Sequence, residues 1–380
     1  MSQQDIEVFI FGSFDGRRDR FYHRGIKYFS HPNSKILRVG YFLYQSIKLF
    51  ISSPKLYIKL ISYYQKMSKE HSVRFINWCI KVLPVVNNLP DIFHIQWAKS
   101  LNDWIFLKEI FGIKIVVSLR GAHINYSPLA DKELSKKYKE LFPKVDCFHA
   151  VSKAIAIEAI KYGAKEKNID VIYTAVDVEL LEYYKKTNWA TNDPFHFISV
   201  GRYHWKKGYQ YALLAIKRLV DNKIPVKYTI IARGKPSEEI LYIIRDLKIE
   251  DNVVLLDPYK QKNVYTYLNS SDCLVLPSVE EGIANVVIEA MCIGLPVISS
   301  DCGGMKEIID DENNGLLFEG RNIHQLMKKM KNMINYSNQE RRVMAENAIR
   351  LIKKNHSLQK LGSDMEKFYH SIYNLKTLIK

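Results

Sequence analysis

Two short segments carry side chains whose types and spacing suit work on a phosphate leaving group. The first is Val200-Gly201-Arg202-Tyr203-His204-Trp205-Lys206-Lys207-Gly208, which follows a β-run and precedes a helical one. Gly201 ends the strand without side-chain bulk, so Arg202 and Lys207 project from one short loop. A guanidinium and an ammonium so placed neutralise the charge that builds as a diphosphate departs. Alone, the loop also reads as a solvated basic turn of a cationic protein. The second segment runs from Leu276 to Met291, with Pro277 at a strand end, Gly282 opening a turn and a helix starting near Asn285. The backbone N–H groups of that turn and of the first helical turn (Gly282, Ile283, Asn285, Val286) form an anion site reinforced by the helix dipole. Glu289 lies about one turn into the helix, within reach of a ribose diol, and Glu281 stands just before the turn. Carboxylates accept hydrogen bonds from hydroxyl pairs. Two glutamates at that spacing are common on surfaces, and alone they decide little.

A third constellation is Ser118-Leu119-Arg120-Gly121-Ala122-His123. It follows a strand, which puts His123 at a carboxyl end, where an imidazole can orient or polarise a hydroxyl. A satisfied loop histidine is the plainer alternative. His94, inside an apolar strand, reads as structural. No two aspartates stand two apart, so the Asp-x-Asp metal triplet is absent. The expectation is that no metal or other cofactor takes part, with Arg202, Lys207 and the helix terminus stabilising the leaving group. The five cysteines (Cys79, Cys147, Cys273, Cys292 and Cys302) include no Cys-x-x-Cys pair, which disfavours a zinc site or a disulfide framework.

The elements that must hold these residues are legible as short apolar runs alternating with helical periodicity. Strands are expected at 7–11, 37–40, 91–95, 113–118, 147–150 and 170–173. Helices are expected at 100–111, 131–142 and 152–162. Gly12, closing the first strand, begins a strand–glycine–helix opening typical of nucleotide-binding α/β domains and is counted with the donor-binding residues. The polar stretch 182–194 reads as a linker. A second series follows, with strands at 195–200, 226–232, 253–256, 273–276, 297–299 and 316–318. Two helices close the chain over about 338–378. The expected fold is α/β: two Rossmann-like, doubly wound domains facing a cleft. Their expected bounds are 1–190 and 191–359, with the helix at about 360–380 packing back on the first domain.

Glu281-x7-Glu289, set within Pro277-Ser278…Glu281-Gly282…Asn285-Val286-Val287-Ile288-Glu289-Ala290-Met291, resembles the signature of glycosyltransferase family 4. Gly294-Leu295-Pro296-Val297-Ile298…Gly303-Gly304…Glu307…Asn314-Gly315 and Gly201-Arg202…Lys207-Gly208 fit the same pattern. So do Asp91-Ile92-Phe93-His94, Val151-Ser152 and Val176-Asp177 earlier in the chain. The resemblance spans roughly residues 85–335. It implies the GT-B fold and a retaining transfer of a hexose-type sugar from a nucleotide-sugar donor to a glycan or lipid-linked acceptor. It further implies that Arg202 and Lys207 hold the donor diphosphate, that Glu289 binds the ribose, and that Glu281 contacts the donor sugar. The amides near Gly282 and Ile283 would meet sugar or phosphate. Envelope polysaccharide or lipopolysaccharide assembly is the setting it suggests. Three segments depart from the family pattern: Gly12-Ser13-Phe14-Asp15-Gly16-Arg17-Arg18, Ala232-Arg233-Gly234, and Thr174-Ala175 before Val176-Asp177.

The net charge of +16 is uneven. Residues 16–90 hold 14 Lys/Arg against Asp19 and Glu70. Such a block attracts polyanions. Within it, residues 41–66 interleave apolar and aromatic residues with Lys48, Lys55, Lys59 and Lys66. The segment 41–81 is therefore expected to meet an anionic membrane surface, or simply to cover a sheet with its lysines solvated. Neither a spanning run nor a signal peptide stands out, which favours a cytoplasmic protein peripheral to the inner face of the membrane. Another GT-B enzyme, such as an epimerase or a phosphorylase, is the alternative. A nucleic-acid-binding module rests on charge alone, since no motif for it is present, and no nucleic acid is expected as a partner. A nicotinamide-dependent dehydrogenase lacks its Gly-x-Gly-x-x-Gly.

Overall fold

The computed structural model describes residues 6–12, 26–68, 74–257 and 261–374. The chain divides into two compact units: Met1–Phe93, Asp103–Ile115 and Tyr373–Lys380 in one, His94–Asn102 and Val116–Ile372 in the other.

In the first unit, β1 (Val8–Gly12) and β2 (Ile26–Ser30) pair in parallel, Val8 opposite Ile26 and Gly12 opposite Ser30. Phe11 and Phe29 stack across this pair with ring centroids 5.0 Å apart. Three helices follow: α1 (Lys35–Ser52), α2 (Pro54–Ser68) and α3 (Phe75–Val86). Pro54 occupies the first position of α2, where its missing N–H leaves no helical bond unmade. Helix α3 is the core of the unit, with Trp78, Cys79, Ile80, Val82, Leu83, Val85 and Val86 buried. The expected strand at 37–40 is instead part of α1. A short apolar run fits either period, and only the 18-residue uninterrupted helix around it decides. The strand at 26–30 escaped the sequence reading. Next come β3 (Ile92–Ile95), α4 (Leu101–Trp104), α5 (Phe106–Phe111) and β4 (Lys114–Leu119). The single helix expected over 100–111 is thus broken at Ile105. Phe106, which opens α5, stacks on Tyr63 with centroids 5.0 Å apart.

The second unit takes up the carboxyl ends of β3 and β4. It continues with α6 (Ala122–Asn125), α7 (Ser127–Ala130), α8 (Lys132–Leu141), β5 (Cys147–Ala150), α9 (Lys153–Ile160), β6 (Ile169–Val171) and α10 (Val178–Glu182). The four strands form a sheet in the order β3-β4-β5-β6. Asp131 and Ser152 cap α8 and α9, accepting from Leu134 N and Ile155 N. The polar stretch 182–194, expected as a linker, is pinned rather than loose. Lys186 is buried, and its Nζ donates to Asn269 O at 3.0 Å and Ser271 O at 2.7 Å.

The remaining elements are β7 (Phe195–Arg202), α11 (Tyr209–Asp221), β8 (Val226–Arg233), α12 (Glu238–Asp246), β9 (Val253–Leu256), α13 (Gln261–Ser270), β10 (Cys273–Leu276), α14 (Asn285–Ile293), β11 (Val297–Asp301), β12 (Leu316–Glu319), α15 (Ile323–Asn335), α16 (Asn338–Asn355) and α17 (Leu358–Asn374). Six of them form a parallel sheet in the order β12-β11-β10-β7-β8-β9. Successive residues belong to opposite faces. Ile198, Leu274 and Val297 join one buried cluster, while Phe197, Cys273 and Ile298 join the other. Burial on both faces explains why these strands read as continuous apolar runs. Read from β9, the order is 3-2-1-4-5-6, that of a dinucleotide-type fold, and it reverses between β7 and β10. The fold is two Rossmann-like domains of parallel strands. On α17, Tyr369 lies 2.7 Å from His94 Nδ1 on β3.

Candidate functional site

Ligands of doubly wound sheets bind outside the strand carboxyl ends where the order reverses. The loops there are the two picked out by their chemistry: Gly201–Gly208 after β7 and Pro277–Ala284 after β10. Their backbones touch. Val279 N donates to Lys206 O at 2.7 Å. Gly208 sits at φ +64°, and a Cβ there would fall 2.1 Å from Pro277 O, so only glycine permits this approach.

The contact assembles a buried ionic cluster. Lys207 Nζ donates to Glu281 Oε1 at 2.7 Å, and Lys206 Nζ lies 3.6 Å from Glu281 Oε2. Ser278 Oγ donates to Glu281 Oε1 at 3.1 Å. Burial pushes the Glu281 carboxyl up, but Lys207, Lys206 and the two hydrogen bonds outweigh it and hold the carboxyl below its ordinary range. Lys206 and Ser278 were not singled out in the sequence. The adjacent Lys-Lys pair was visible there, but not that both ammonium groups turn onto one carboxylate. The His204 imidazole is pushed down, chiefly by burial and then by Arg202, Lys206 and Lys207, which marks the spot as electropositive. Arg202 is not drawn into the cluster. It is exposed at the end of β7, in register with Arg233 of β8.

The loop after β11 supports Glu281 and Gly282 from below. Gly304 N donates to Gly282 O at 2.8 Å. A Cβ on Gly303, at φ +53°, would fall 1.7 Å from Glu281 O. Helix α14 begins with Ala284 at its N-cap, which supplies no side-chain cap. Ile283 is buried beside it, Val286 is half-buried, and Asn285 is exposed. Asn285 accepts from Thr174 Oγ1 at 3.3 Å. Glu289, half-buried four residues into the helix, accepts from Tyr265 Oη at 3.3 Å. The two signature glutamates therefore differ: Glu281 faces cations, and Glu289 a phenol.

His123 lies on α6, and this loop meets the one that bears Glu281. Gly121 N is 3.6 Å from where a Cβ on Gly282 would stand. Asn125 Nδ2 donates to Glu280 Oε1 at 2.6 Å. Burial, with Lys99 nearby, pushes the His123 imidazole down, which favours its neutral form. Its Nδ1 is buried without a partner among the described residues. Glu307, on the turn after β11, accepts from Lys153 N at 2.8 Å, Ala154 N at 2.9 Å and Tyr173 Oη at 3.2 Å. It thereby ties that turn to the start of α9. Gly12 belongs to the first unit, at the end of β1, and the rest of the segment that departs from the family pattern there, Ser13 to Arg18, lies outside the described residues. Among the described residues no group of three or more His, Cys, Asp or Glu side chains is placed to hold a metal ion.

The arrangement provides two ammonium groups oriented by one carboxylate, an uncapped helix start, a second carboxylate one turn on, and a neutral imidazole on a neighbouring loop. It can hold a diphosphate, read a diol and polarise a hydroxyl. Comparison with known proteins agrees with this chemistry. Residues 1–180 match the family model described as Glycosyltransferase Family 4, and residues 182–351 match the one described as Glycosyl transferases group 1. The amylovoran biosynthesis glycosyltransferase AmsK of Erwinia amylovora is 30% identical over 60% of this chain and 57% of its own length. The N-acetylgalactosamine-N,N'-diacetylbacillosaminyl-diphospho-undecaprenol 4-alpha-N-acetylgalactosaminyltransferase of Campylobacter jejuni is 30% identical over 55% of this chain and 56% of its own. The chain thus spans about half the length of these curated relatives. Among solved structures, Anabaena HepE in complex with UDP-glucose superposes with a TM-score of 0.68 at 18% identity, over 81% of this chain and 89% of that one, a likeness of fold. With the two family models running through nearly its whole length, the chain belongs to glycosyltransferase family 4, the glycosyl transferases of group 1, with the GT-B fold.

Proposed function

We propose that the protein is a retaining hexosyltransferase. It moves a sugar from a nucleoside diphosphate donor to a glycan or lipid-linked acceptor in envelope polysaccharide or lipopolysaccharide synthesis, without a metal. The observation that carries this reading is the Lys206–Lys207–Glu281 cluster at the point where the strand order reverses, beside the uncapped start of α14. An ammonium has three donors. Lys207 directs one at Glu281 and keeps the others for a diphosphate, already oriented before the donor arrives. Arg202, at the strand end, closes on the same phosphates. The amides of Gly282, Ile283, Asn285 and Val286 receive phosphate or sugar oxygens, Gly201 gives room beneath them, and Glu289 takes the ribose diol. Glu281, kept ionised, faces the donor sugar. Gly12 is counted with the donor-binding residues.

In the reaction the anomeric C–O bond to the leaving phosphate breaks while the acceptor oxygen bonds to the same face. The acceptor proton passes to a phosphate oxygen, with neutral His123 orienting the hydroxyl. Retention follows from that geometry, and an inverted product in NMR of the new linkage would overturn it. The UDP-glucose in HepE and the diphospho-undecaprenol acceptor in the name of the Campylobacter relative support the substrate classes. Residues 1–190 serve the acceptor, and 191–359 serve the donor.

The membrane forms part of this reading. Helices α1 and α2 hold six Lys/Arg and no acid, and α1 leaves Ile36, Leu43, Ile47, Phe50 and Ile51 exposed. No helix among the described residues is long and apolar enough to cross a membrane. The face suits an anionic leaflet, entered from the cytoplasmic side. Thermal stability against UDP-, GDP- and ADP-sugars tests the donor assignment. A rise with one nucleotide that Glu289→Ala abolishes supports it. No rise with any of them, in folded protein, would sink it.

A further inference from the structure

Arg120 is a half-buried cation with no counter-charge among the described residues. It follows the last residue of β4, its Nη2 donates to Gln96 Oε1 at 2.8 Å, and its Nε is buried without a partner. No carboxylate among the described residues pairs with it. The groups near it are Tyr369 and the imidazoles of His94 and His149; burial pushes the Tyr369 phenol up and both imidazoles down, and Arg120 pushes the imidazoles further down. Removing a guanidinium from water without an anion to meet it is unfavourable. A fold that keeps one in that state has left space for an anion to arrive.

The neighbours indicate what carries the anion. Trp97, at the carboxyl end of β3, is 48% exposed despite its size. The Arg120 guanidinium lies 5.8 Å from its ring centroid, and the His123 ring lies 4.7 Å away, tilted by 42°. Exposed Lys99 is close enough to depress the His123 imidazole. The group adjoins the donor cluster. Besides the Gly121–Gly282 and Asn125–Glu280 contacts, the Tyr126 ring lies 5.8 Å from that of Trp205, on the loop carrying Lys207. An indole face is a platform for a sugar ring, and a guanidinium beside it pairs with carboxylate or phosphate in a fixed orientation.

We propose that Trp97, Arg120, Lys99 and His123 form the acceptor subsite and select an acidic acceptor: a pyranose on Trp97 whose carboxylate or phosphate ester meets Arg120 and Lys99, with the hydroxyl to be glycosylated toward the His123 ring. This rests on the transferase reading. It makes Arg120 the residue that distinguishes charged from neutral acceptors.

The test is tryptophan fluorescence with saturating UDP filling the donor site. The probes are methyl β-D-glucuronide and α-D-glucose 1-phosphate, with neutral methyl β-D-glucoside as reference. The subsite predicts quenching by one or both anionic probes and at least tenfold weaker binding of the neutral one. Trp97→Phe should lose the signal. Arg120→Gln should weaken the anionic probe about tenfold or more, and Arg120→Lys should recover part of that. A preference for the glucuronide identifies a uronic acid acceptor, and a preference for the phosphate identifies a phosphorylated one. Without ligand, Arg120→Gln should melt no lower than the parent, because no carboxylate among the described residues pairs with the charge it removes. Equal binding of the neutral glucoside, no binding of either anion, an Arg120→Gln variant that binds normally, or one that melts several degrees lower would each overturn the proposal. The melting shift with UDP is read separately in every variant. Its retention leaves the donor site intact, and its absence in the parent would instead remove the transferase reading.

Discussion

Lys207 and Glu281, 74 residues apart in the chain, meet through Nζ and Oε1 at 2.7 Å in a setting where both side chains are nearly buried. Lys206 approaches the other carboxylate oxygen. One carboxylate therefore orders two cations at the end of β7, and removing it does more than remove a ligand contact. Glu281→Gln leaves two ammonium groups without their anion. The expected loss of stability is about 3 kcal/mol, the usual size for breaking a buried pair. The expected loss in kcat is on the order of 100-fold, as for one preorganised electrostatic group. Urea melts and initial rates on the same preparation check both.

The same carboxyl gives a pH dependence at the acid end. Its folded pKa lies below the unfolded one, so its contribution is complete above the unfolded carboxylate range and is lost as pH falls through the folded value. In Glu281→Gln the acid limb of stability against pH should be shallower than in the parent.

A second pH dependence comes from His94. Burial, then His149 and Arg120, push its imidazole down to about 3. The unfolded chain binds a proton near pH 6.5 that the folded chain refuses. Stability therefore falls as pH drops from about 6.5 toward 3, by up to roughly 5 kcal/mol as an upper bound. The bonding pattern supports neutrality. His149 Nε2 has a carbonyl to meet, Ile172 O at 3.0 Å, so it donates. Ser118 Oγ then donates to His149 Nδ1, His94 Nε2 donates to Ser118, and Tyr369 Oη donates to His94 Nδ1. Melting temperature against pH should flatten between 6.5 and 4 in His94→Asn, from a lower starting value.

Glu289→Ala is expected to keep the fold and lose nucleotide affinity by roughly 10–100-fold, the range for hydrogen bonds to a charged group. Isothermal titration with UDP or GDP checks it. Unchanged affinity would remove Glu289 from the site.

Gly303→Ala should be among the most damaging small substitutions in the chain. It places a Cβ 1.7 Å from the backbone carbonyl of Glu281, at a φ that disfavours side chains. Neither constraint is relieved by a rotamer change, so a loss of about 2 kcal/mol or more is expected together with activity. An alanine variant with parent-like melting would mean the loop after β11 does not brace Glu281.

The apolar face of α1 should bind vesicles containing phosphatidylglycerol more strongly than neutral ones, and less so in high salt. Ile47→Glu with Phe50→Glu should abolish binding by cosedimentation while leaving the melting temperature nearly unchanged, because both side chains are exposed. Failure of the parent to bind in low salt would refute the membrane reading.

Much of this protein is written in local sequence. Parallel strands covered on both faces become apolar runs, so all six strands of the larger sheet stood out, and so did the two closing helices. Residue type and spacing likewise picked out Arg202, Lys207, Glu281, Glu289 and His123. What local pattern cannot carry is which ends become neighbours. The β7–β10 adjacency comes from the sheet order, and it alone turns Lys206 and Lys207 onto Glu281. Asn125 with Glu280, and Glu307 at the start of α9, are likewise contacts across about 150 residues. Leu37–Gly40 read as a strand because four residues do not fix a period, and the long helix around them does. Arg120 and Trp97 have ordinary residue types for a basic protein. Only burial without a counter-charge, and exposure of an indole, make them informative, and both are properties of the folded chain.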